Sequence, residues 1–393
     1  VAVSTLQTAQ PALGTVSRNP QTTAAPASAA SPFTRMSRQM QILGPNSSGQ
    51  VFGSLFTPQL KPAGGYMRYY PLYIAAVGGN GGTTGAVVSA DGPYDVVQNI
   101  FLRDPFGQPI IQADGYSLYL IDLYGGQSGM LSFGNNDSTL PSFSAVATSG
   151  NFQLRLHLPL ELDSSGYGSL PVMNAASQPT IWVQLNTQTV VYSTVPVPTV
   201  PTITLQLDEE FWAAPVDNPA FAPPDVGSSA QWSVTKAPTG IAANQFQRIV
   251  LPRVGTFTHT LILVLRDSTG ARIDGYPASD LSLWVDGVPH LYENFAERAD
   301  KMFAAFGVTR PTGVCVYTFR NSVQSAVSTA DTYDLLLPTS PATLLEEVGT
   351  WGGGSGLPFQ GGQTTIANAP AQLYQITGEL FPLGGIPYTH LAQ

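Results

Sequence analysis

Charge is what this chain has least of: Asp, Glu, Lys and Arg make up 10% of its 393 residues, against ~25% in an ordinary soluble domain. So few charges imply that much of the surface is buried against neighbours. Cysteine is nearly absent as well. The single Cys315 excludes an intrachain disulfide framework, and its place in the apolar run Val314 to Phe319 reads as a buried thiol acting as a small hydrophobe. No run reaches the ~18 apolar residues of a transmembrane helix. Residues 1 to 30, rich in Thr, Ala, Pro, Ser and Gln, hold no apolar stretch of the signal-peptide kind. The expectation is a soluble chain made in the cytoplasm.

Acid is missing from one end. No Asp or Glu stands before Asp91, while Arg18, Arg35, Arg38, Lys61 and Arg68 do, so all 25 acidic residues lie in the remainder. A mildly basic N-terminal segment on an acidic body can face an anionic surface such as lipid or nucleic acid. No dense Lys/Arg cluster occurs anywhere, which argues against genome packaging by phosphate neutralisation.

Catalytic signatures are missing too. His157, His259, His290 and His390 are scattered, with no HExxH, His-x-His or cysteine pair to hold a metal. Asp208-Glu209-Glu210 closes a strand beside Phe211-Trp212 and could in principle supply a glycosidase acid and base. A solvated strand end is the reading adopted. The glycine-rich stretches Gly78 to Gly85 and Trp351 to Gly356 lack the lysine, strand and helix of a phosphate loop and read as long flexible loops. No Gly-x-Ser-x-Gly elbow is present. The sequence points to no enzyme, no cofactor and no metal site.

What is abundant is glycine (39), proline (33) and, between them, β-branched and aromatic residues, with 43% of the chain hydrophobic. That is the composition of many strands joined by elaborated loops, not of a disordered chain. Strands are predicted at 51–57, 66–77, 96–102, 117–123, 152–162, 181–185 and 202–207, then at 231–234, 246–251, 256–265, 281–285, 314–319, 333–337 and 373–381. In Phe152 to Leu162 the apolar residues alternate without a break, so one face is core. Two helices are predicted. Ser31 caps one from Pro32 to Leu43 with Phe33, Met36, Met40 and Leu43 on its apolar stripe, stopped by Gly44-Pro45. Asn294-Phe295-Ala296-Glu297 opens the other, whose stripe is Phe295, Ala299, Met302 and Phe306 and whose stop is Gly307.

The chain also says the same thing twice. Leu102-Arg103-Asp104-Pro105-Phe106-Gly107 returns as Leu265-Arg266-Asp267-Ser268-Thr269-Gly270, and Asp114-Gly115-Tyr116 returns as Asp274-Gly275-Tyr276. Each copy lies between apolar runs and reads as strand, polar turn, strand, with Arg103/Asp104 and Arg266/Asp267 as charges at a hairpin end. An offset near ~160 residues makes the repeat a whole domain, well above the ~20–50 residues of a solenoid unit. Prolines at 215, 219, 223 and 224 mark an exposed connector. The expected organisation is an N-terminal arm with a short amphipathic helix (1–47), a first β-domain (48–214), a Pro-rich connector (215–228) and a second β-domain with a C-terminal tail (229–393).

Three segments carry a family resemblance. Gly92 to Ile100 running into Asp104-Pro105 and Gly115-Tyr116; Leu158-Pro159-Leu160 with Leu170 to Asn174 and Ile181 to Leu185; and the helix ending near Phe306 followed by Gly313 to Tyr317 together resemble the double jelly-roll major capsid proteins of tailless icosahedral double-stranded DNA viruses, the tectivirus type of bacteriophage above all. The resemblance implies an all-β fold of two tandem eight-stranded jelly rolls, with short helices in the N-terminal arm and the second barrel. It implies a structural protein of the virion, in which homotrimers form pseudo-hexameric tiles of an icosahedral shell around an internal membrane. Implied partners are neighbouring capsomers, penton and minor capsid proteins, and the membrane itself, met by the arm through Arg18, Arg35 and Arg38. No specific nucleic acid is implied. The alternative is a β-sandwich spike or a carbohydrate- or receptor-binding module.

Overall fold

The computed structural model describes residues 39–42, 44, 46–61, 64–105, 107–125, 143–146, 149–160, 169–172, 178–196, 198–213, 228–236, 245–251, 257–266, 270–277, 280–318, 337–338, 344–351 and 372–382. The fold is all-β with a few short helices. The first part supplies β1 (Gln39–Ile42), β2 (Asn46–Gln50), β3 (Leu55–Phe56), β4 (Gly65–Val77), β5 (Val87–Val88), β6 (Val97–Arg103) and β7 (Pro109–Ala113). It continues with β8 (Phe143–Val146), β9 (Asn151–Pro159), β10 (Leu170–Pro171), β11 (Thr180–Leu185), β12 (Tyr192–Thr194), β13 (Thr202–Leu207) and β14 (Glu209–Ala213). The second part supplies β15 (Ser228–Lys236), β16 (Gln245–Val250), β17 (Phe257–Arg266), β18 (Leu281–Val285), β19 (Val288–Glu293), β20 (Val314–Thr318), β21 (Leu337–Pro338), β22 (Leu345–Trp351) and β23 (Gln372–Pro382).

Among the described residues the long β4 organises an eight-stranded sheet in the order β1-β14-β4-β13-β2, with β9 and β10 also paired to β4 and β8 to β9. Its opposite layer is β7-β6-β11-β3. Alternation does the packing: Phe152, Leu154, Leu156 and Leu158 of β9 are buried while Gln153 between them is exposed. In the second half a four-stranded sheet, β16-β22-β18-β19, lies opposite β20-β17-β23-β15. The two halves are not separate beads. β15 pairs in parallel with β7, through Trp232 opposite Ile111 and Ser233 opposite Gln112, so one nine-stranded sheet runs through both.

The core follows the same plan. Leu261, Leu263, Leu265, Cys315 and Tyr317 point into the interior of the second half with Leu281, Leu283 and Trp351. Their neighbours Ile262, Val264, Val314 and Val316 point the other way and join the core of the first half. The unbroken apolar run of β17 is thereby explained, since the strand is buried on both faces. Cys315 is fully buried, as expected.

Three helices matter for position: α1 (Gly115–Leu120), which runs into a wide turn at Ile121–Gly125, the one-turn α2 (Gln188–Val191), and α3 (Phe295–Phe306). The last is where the sequence places it. Asn294 Oδ1 accepts a hydrogen bond from Glu297 N at 2.7 Å, and Gly307 ends the helix at φ 68°.

Two expectations are corrected. Residues 117–123, predicted as a strand, are helical. Asp114 caps the helix by accepting from Ser117 N at 2.7 Å, and Gly115 approaches Tyr94 O so closely that a Cβ would stand 1.9 Å from it. The apolar alternation there reflects burial all round, with Tyr116, Leu118, Leu120 and Ile121 all covered. The amphipathic helix predicted from Pro32 to Leu43 fails in its second half. Gln39–Ile42 is β1, paired antiparallel with β14 from Gln39 opposite Trp212 to Ile42 opposite Glu209. Cross-strand pairing to a waiting sheet edge overrides local periodicity. Residues 31–38, with Arg35 and Arg38, lie outside the described residues, as do Arg18 and the Pro-rich connector through Gly227.

Candidate functional site at the seam between the halves

The two copies of the repeated phrase end on glycines of the same backbone conformation. Gly107 and Gly270 hold φ 86° and 87°, left-handed values that glycine adopts without strain. After the turn the copies diverge. In the first, β7 returns beside β6 and Asp114 caps α1. In the second, the returning chain makes one bridge, Arg272 opposite Arg266. Asp274 there takes a forked ion pair from Arg310, at 2.7 and 2.9 Å, and a bond from Gly313 N. Among the described residues the expected strand–turn–strand unit is therefore seen in the first copy, while residues 267–269 of the second lie outside them.

The two copies meet at the seam. Tyr116, from the first, lies between Arg266 and Arg272 of the second, whose guanidinium carbons stand 5.5 and 4.8 Å from its ring centre. Arg272 Nη1 donates to the Tyr116 hydroxyl at 2.8 Å and Nη2 to Ala90 O at 2.9 Å. Asp91 receives both arginines, Arg266 at 2.6 Å and Arg272 at 2.7 Å. Below this polar rim the seam is apolar. Ile262, Val264, Val314 and Val316, with Met302 and Val308, share one core with the first half, and Tyr124 meets Phe306 edge-on at 5.0 Å. Burying four aliphatic side chains contributes ~1.5–3 kcal/mol each.

Acids crowd the rim. Burial pushes the Asp95 carboxyl up to about 7, with Asp91 adding to the rise and the Ser89 hydroxyl and Arg266 opposing it. Asp114 is raised for the same first reason, burial. Tyr116 is likewise pushed well above the ordinary tyrosine range by burial.

Elsewhere the sequence candidates do not converge. Asp208 and Glu209 are 2% and 0% exposed, so the solvated strand end expected at 208–210 is wrong. Asp208 Oδ1 accepts from Gly44 N at 3.0 Å and from Gln206 Nε2 at 2.8 Å, and Glu209 Oε1 from Lys61 N at 2.8 Å. Burial raises Glu209 above the usual carboxylate range. Glu210, the next residue along β14, points to the face opposite Glu209, where it accepts from the Tyr69 hydroxyl, so Glu209 and Glu210 cannot flank one bond. His157 is buried against Asp122, 3.2 Å away, and Tyr69. His390 lies outside the described residues. Gly78 to Gly85 is tied rather than loose: Asn80 N donates to Thr199 O and Gly79 N to Asn151 Oδ1, each at 2.8 Å. Trp351 closes β22 and is fully buried, so the second glycine-rich stretch begins in a strand. Arg103 and Arg266 each end a strand, yet Asp104 is buried and accepts from Gln108 N at 2.7 Å, and Arg266 works in the seam. Asp267 lies outside the described residues. Sequence reasoning missed Asp91, Tyr116 and Arg272 as a group. Of the three only Tyr116 falls within a shared phrase, Asp-Gly-Tyr, and Asp91 and Arg272 carried no signal.

No protein-family model matches the sequence, nor does any curated protein. Solved structures do match. The major capsid protein of STIV, the Sulfolobus turreted icosahedral virus, is 12% identical, with 90% of this chain and 99% of that one covered and a TM-score of 0.60. PBCV-1 VP54, seen fitted into a reconstruction of the virophage Sputnik, is 11% identical over 88% of this chain and 93% of that one, with a TM-score of 0.62. A quasi-atomic model of the PBCV-1 capsid gives 13%, 89%, 95% and 0.57. The fold of this chain is the double jelly roll of these viral major capsid proteins.

Proposed function

We propose that this chain, folded as a double jelly roll, is a structural and non-enzymatic major capsid protein whose homotrimers form pseudo-hexameric tiles of an icosahedral viral shell. The reading rests above all on the seam. Two like barrels share one core and one sheet, so the chain presents a rigid two-barrel block, and three such blocks would offer six near-equivalent corners. The scarcity of charge agrees with large lateral surfaces buried between tiles. Neighbouring capsomers, penton and minor capsid proteins are the partners this role requires, the virion shell its place, and the host cytoplasm its site of synthesis. In the tectivirus-type arrangement the acid-free arm, with Arg18, Arg35 and Arg38, would lie over an internal membrane. The division at 48–214, 215–228 and 229–393 belongs to the same proposal.

Size-exclusion chromatography with light scattering tests it directly. A compact trimer is expected. A stable monomer would overturn the capsid reading in favour of a spike or receptor-binding module. For the arm, binding to anionic vesicles is expected of the full chain and not of a chain lacking residues 1–38.

A further inference from the structure

The stretch from Ser89 to Val97 touches both halves at once. Towards the second half, Asp91 holds Arg266 and Arg272, and Ala90 O accepts from Arg272 Nη2. Towards its own half, Ser89 N donates to Val191 O, and Asn186 gives two bonds, from its N to Val96 O and from its Nδ2 to Asp95 O, all at 2.8 Å. Between these two sets of ties the stretch is folded on itself. The Ser89 hydroxyl donates to Asp95 Oδ2, and Asp95 N to Asp91 O at 3.4 Å. The grip on the second half therefore runs through Asp95.

The Asp95 carboxyl is poorly provided for as an anion. Its Oδ1 is buried and, among the described residues, accepts no hydrogen bond. The groups that face it come from four elements: Asp91 on its own stretch, Asp114 at the cap of α1, Arg266 at the end of β17 and Tyr192 at the start of β12. Two of its three charged neighbours are acids, and Arg266 is already paired with Asp91 at 2.6 Å. A neutral carboxyl fits this setting, since an unbonded carbonyl oxygen costs far less to bury than an unbonded charge. Burial accordingly pushes Asp95 up to about 7, with Asp91 and Asp114 adding to the rise and Ser89 and Arg266 opposing it. Once ionised, the carboxylate gains partners in two ways: from water, if the stretch lifts, or from Arg266, if that arginine leaves Asp91. Either weakens the grip.

We infer that Ser89 to Val97 is a proton-dependent clasp on the seam, closed over the second half while the Asp95 carboxyl is neutral and loosened when it ionises. The clasp goes beyond the capsid reading and does not depend on it. In an assembly that needs the two halves as one rigid block, it makes rising pH the signal that softens each block.

Hydrogen exchange read by mass spectrometry on the full chain between pH 4.5 and 8 tests it. Peptides from β18 and β22, which pack in the separate core of the second half, report the rise in the chemical exchange rate with pH. Peptides holding Asp95, Asn186 and Leu265 are expected to gain a further factor of about ten per pH unit up to about 7 and none above it, because opening releases one proton. Asp95→Asn should abolish that extra rise. Two further variants decide the matter if Asp95→Asn does not fold. Asp114→Asn keeps a side chain that can cap α1 and removes an acid, so the plateau is expected to begin at lower pH. Ser89→Ala removes a hydroxyl that favours the carboxylate, so the plateau should begin at higher pH. A purely structural role for these residues would change protection equally at every pH. A wild-type profile that parallels β18 and β22 throughout, or an extra rise that survives in Asp95→Asn, would overturn the clasp and leave the capsid proposal standing.

Discussion

Asp95 illustrates how a single carboxyl at the seam sets a pH response. Its pKa in the folded chain, raised to about 7 by burial, exceeds the ordinary value of ~3.9. The folded state therefore holds a proton that the unfolded state has lost, and stability falls as pH rises from about 4 to about 7, by up to ~1.4 kcal/mol per unit. The contribution is full below the lower value and gone above the upper one. Asp95→Asn should remove this slope, matching the wild type below about pH 4 and exceeding it increasingly towards pH 8, as urea midpoints across that range will read out. Asp91 is the ion-pair partner of two arginines. Asp91→Ala leaves both without it and is expected to cost ~2–4 kcal/mol, more than Arg272→Ala, in equilibrium denaturation.

Elements tell a mixed story about what a sequence discloses. Helix α3 was fully legible because its cap, stripe and stop are local. Asn294→Ala and Gly307→Ala should each cost ~1 kcal/mol in thermal unfolding, the first by losing a cap and the second by forcing a side chain into φ 68°. Strands β4, β6, β9, β11, β13 and β18 were legible from alternation or apolar runs, which sheets with one or two buried faces impose. Helix α1 was not, because burial on every side erased its period. Nor was β1, whose residues carry a helical spacing and gain their strand only from β14. That pairing moves the end of any removable arm from 47, the boundary expected from the sequence, back to 38. A chain starting at residue 39 is expected to melt as the full chain does, whereas one starting at residue 44 uncovers β14 and should melt several degrees lower. The seam was the least legible part. Its members come from residues 91, 116, 266 and 272, and nothing in one dimension says that two copies of a phrase will touch.

At the scale of the whole molecule, a shared core makes the halves one cooperative unit. Ile262→Ala, which removes a side chain from the face between them, should cost ~2–5 kcal/mol. The loss should raise hydrogen exchange in β6 and β11 as well as in β17 and β20, and calorimetry should record one transition rather than two. The parallel pairing of β7 with β15 also has a meaning in time. On the ribosome β7 is finished at Ala113, while its partner is complete only at Lys236. At ~5–20 residues per second the first half waits on the order of ten seconds with an unpaired edge. An unpaired edge is an invitation to any other nascent strand, and these chains would be made in quantity side by side. Synthesis order thus sets a window in which a neighbour's strand competes with the chain's own β15 for the edge of β7.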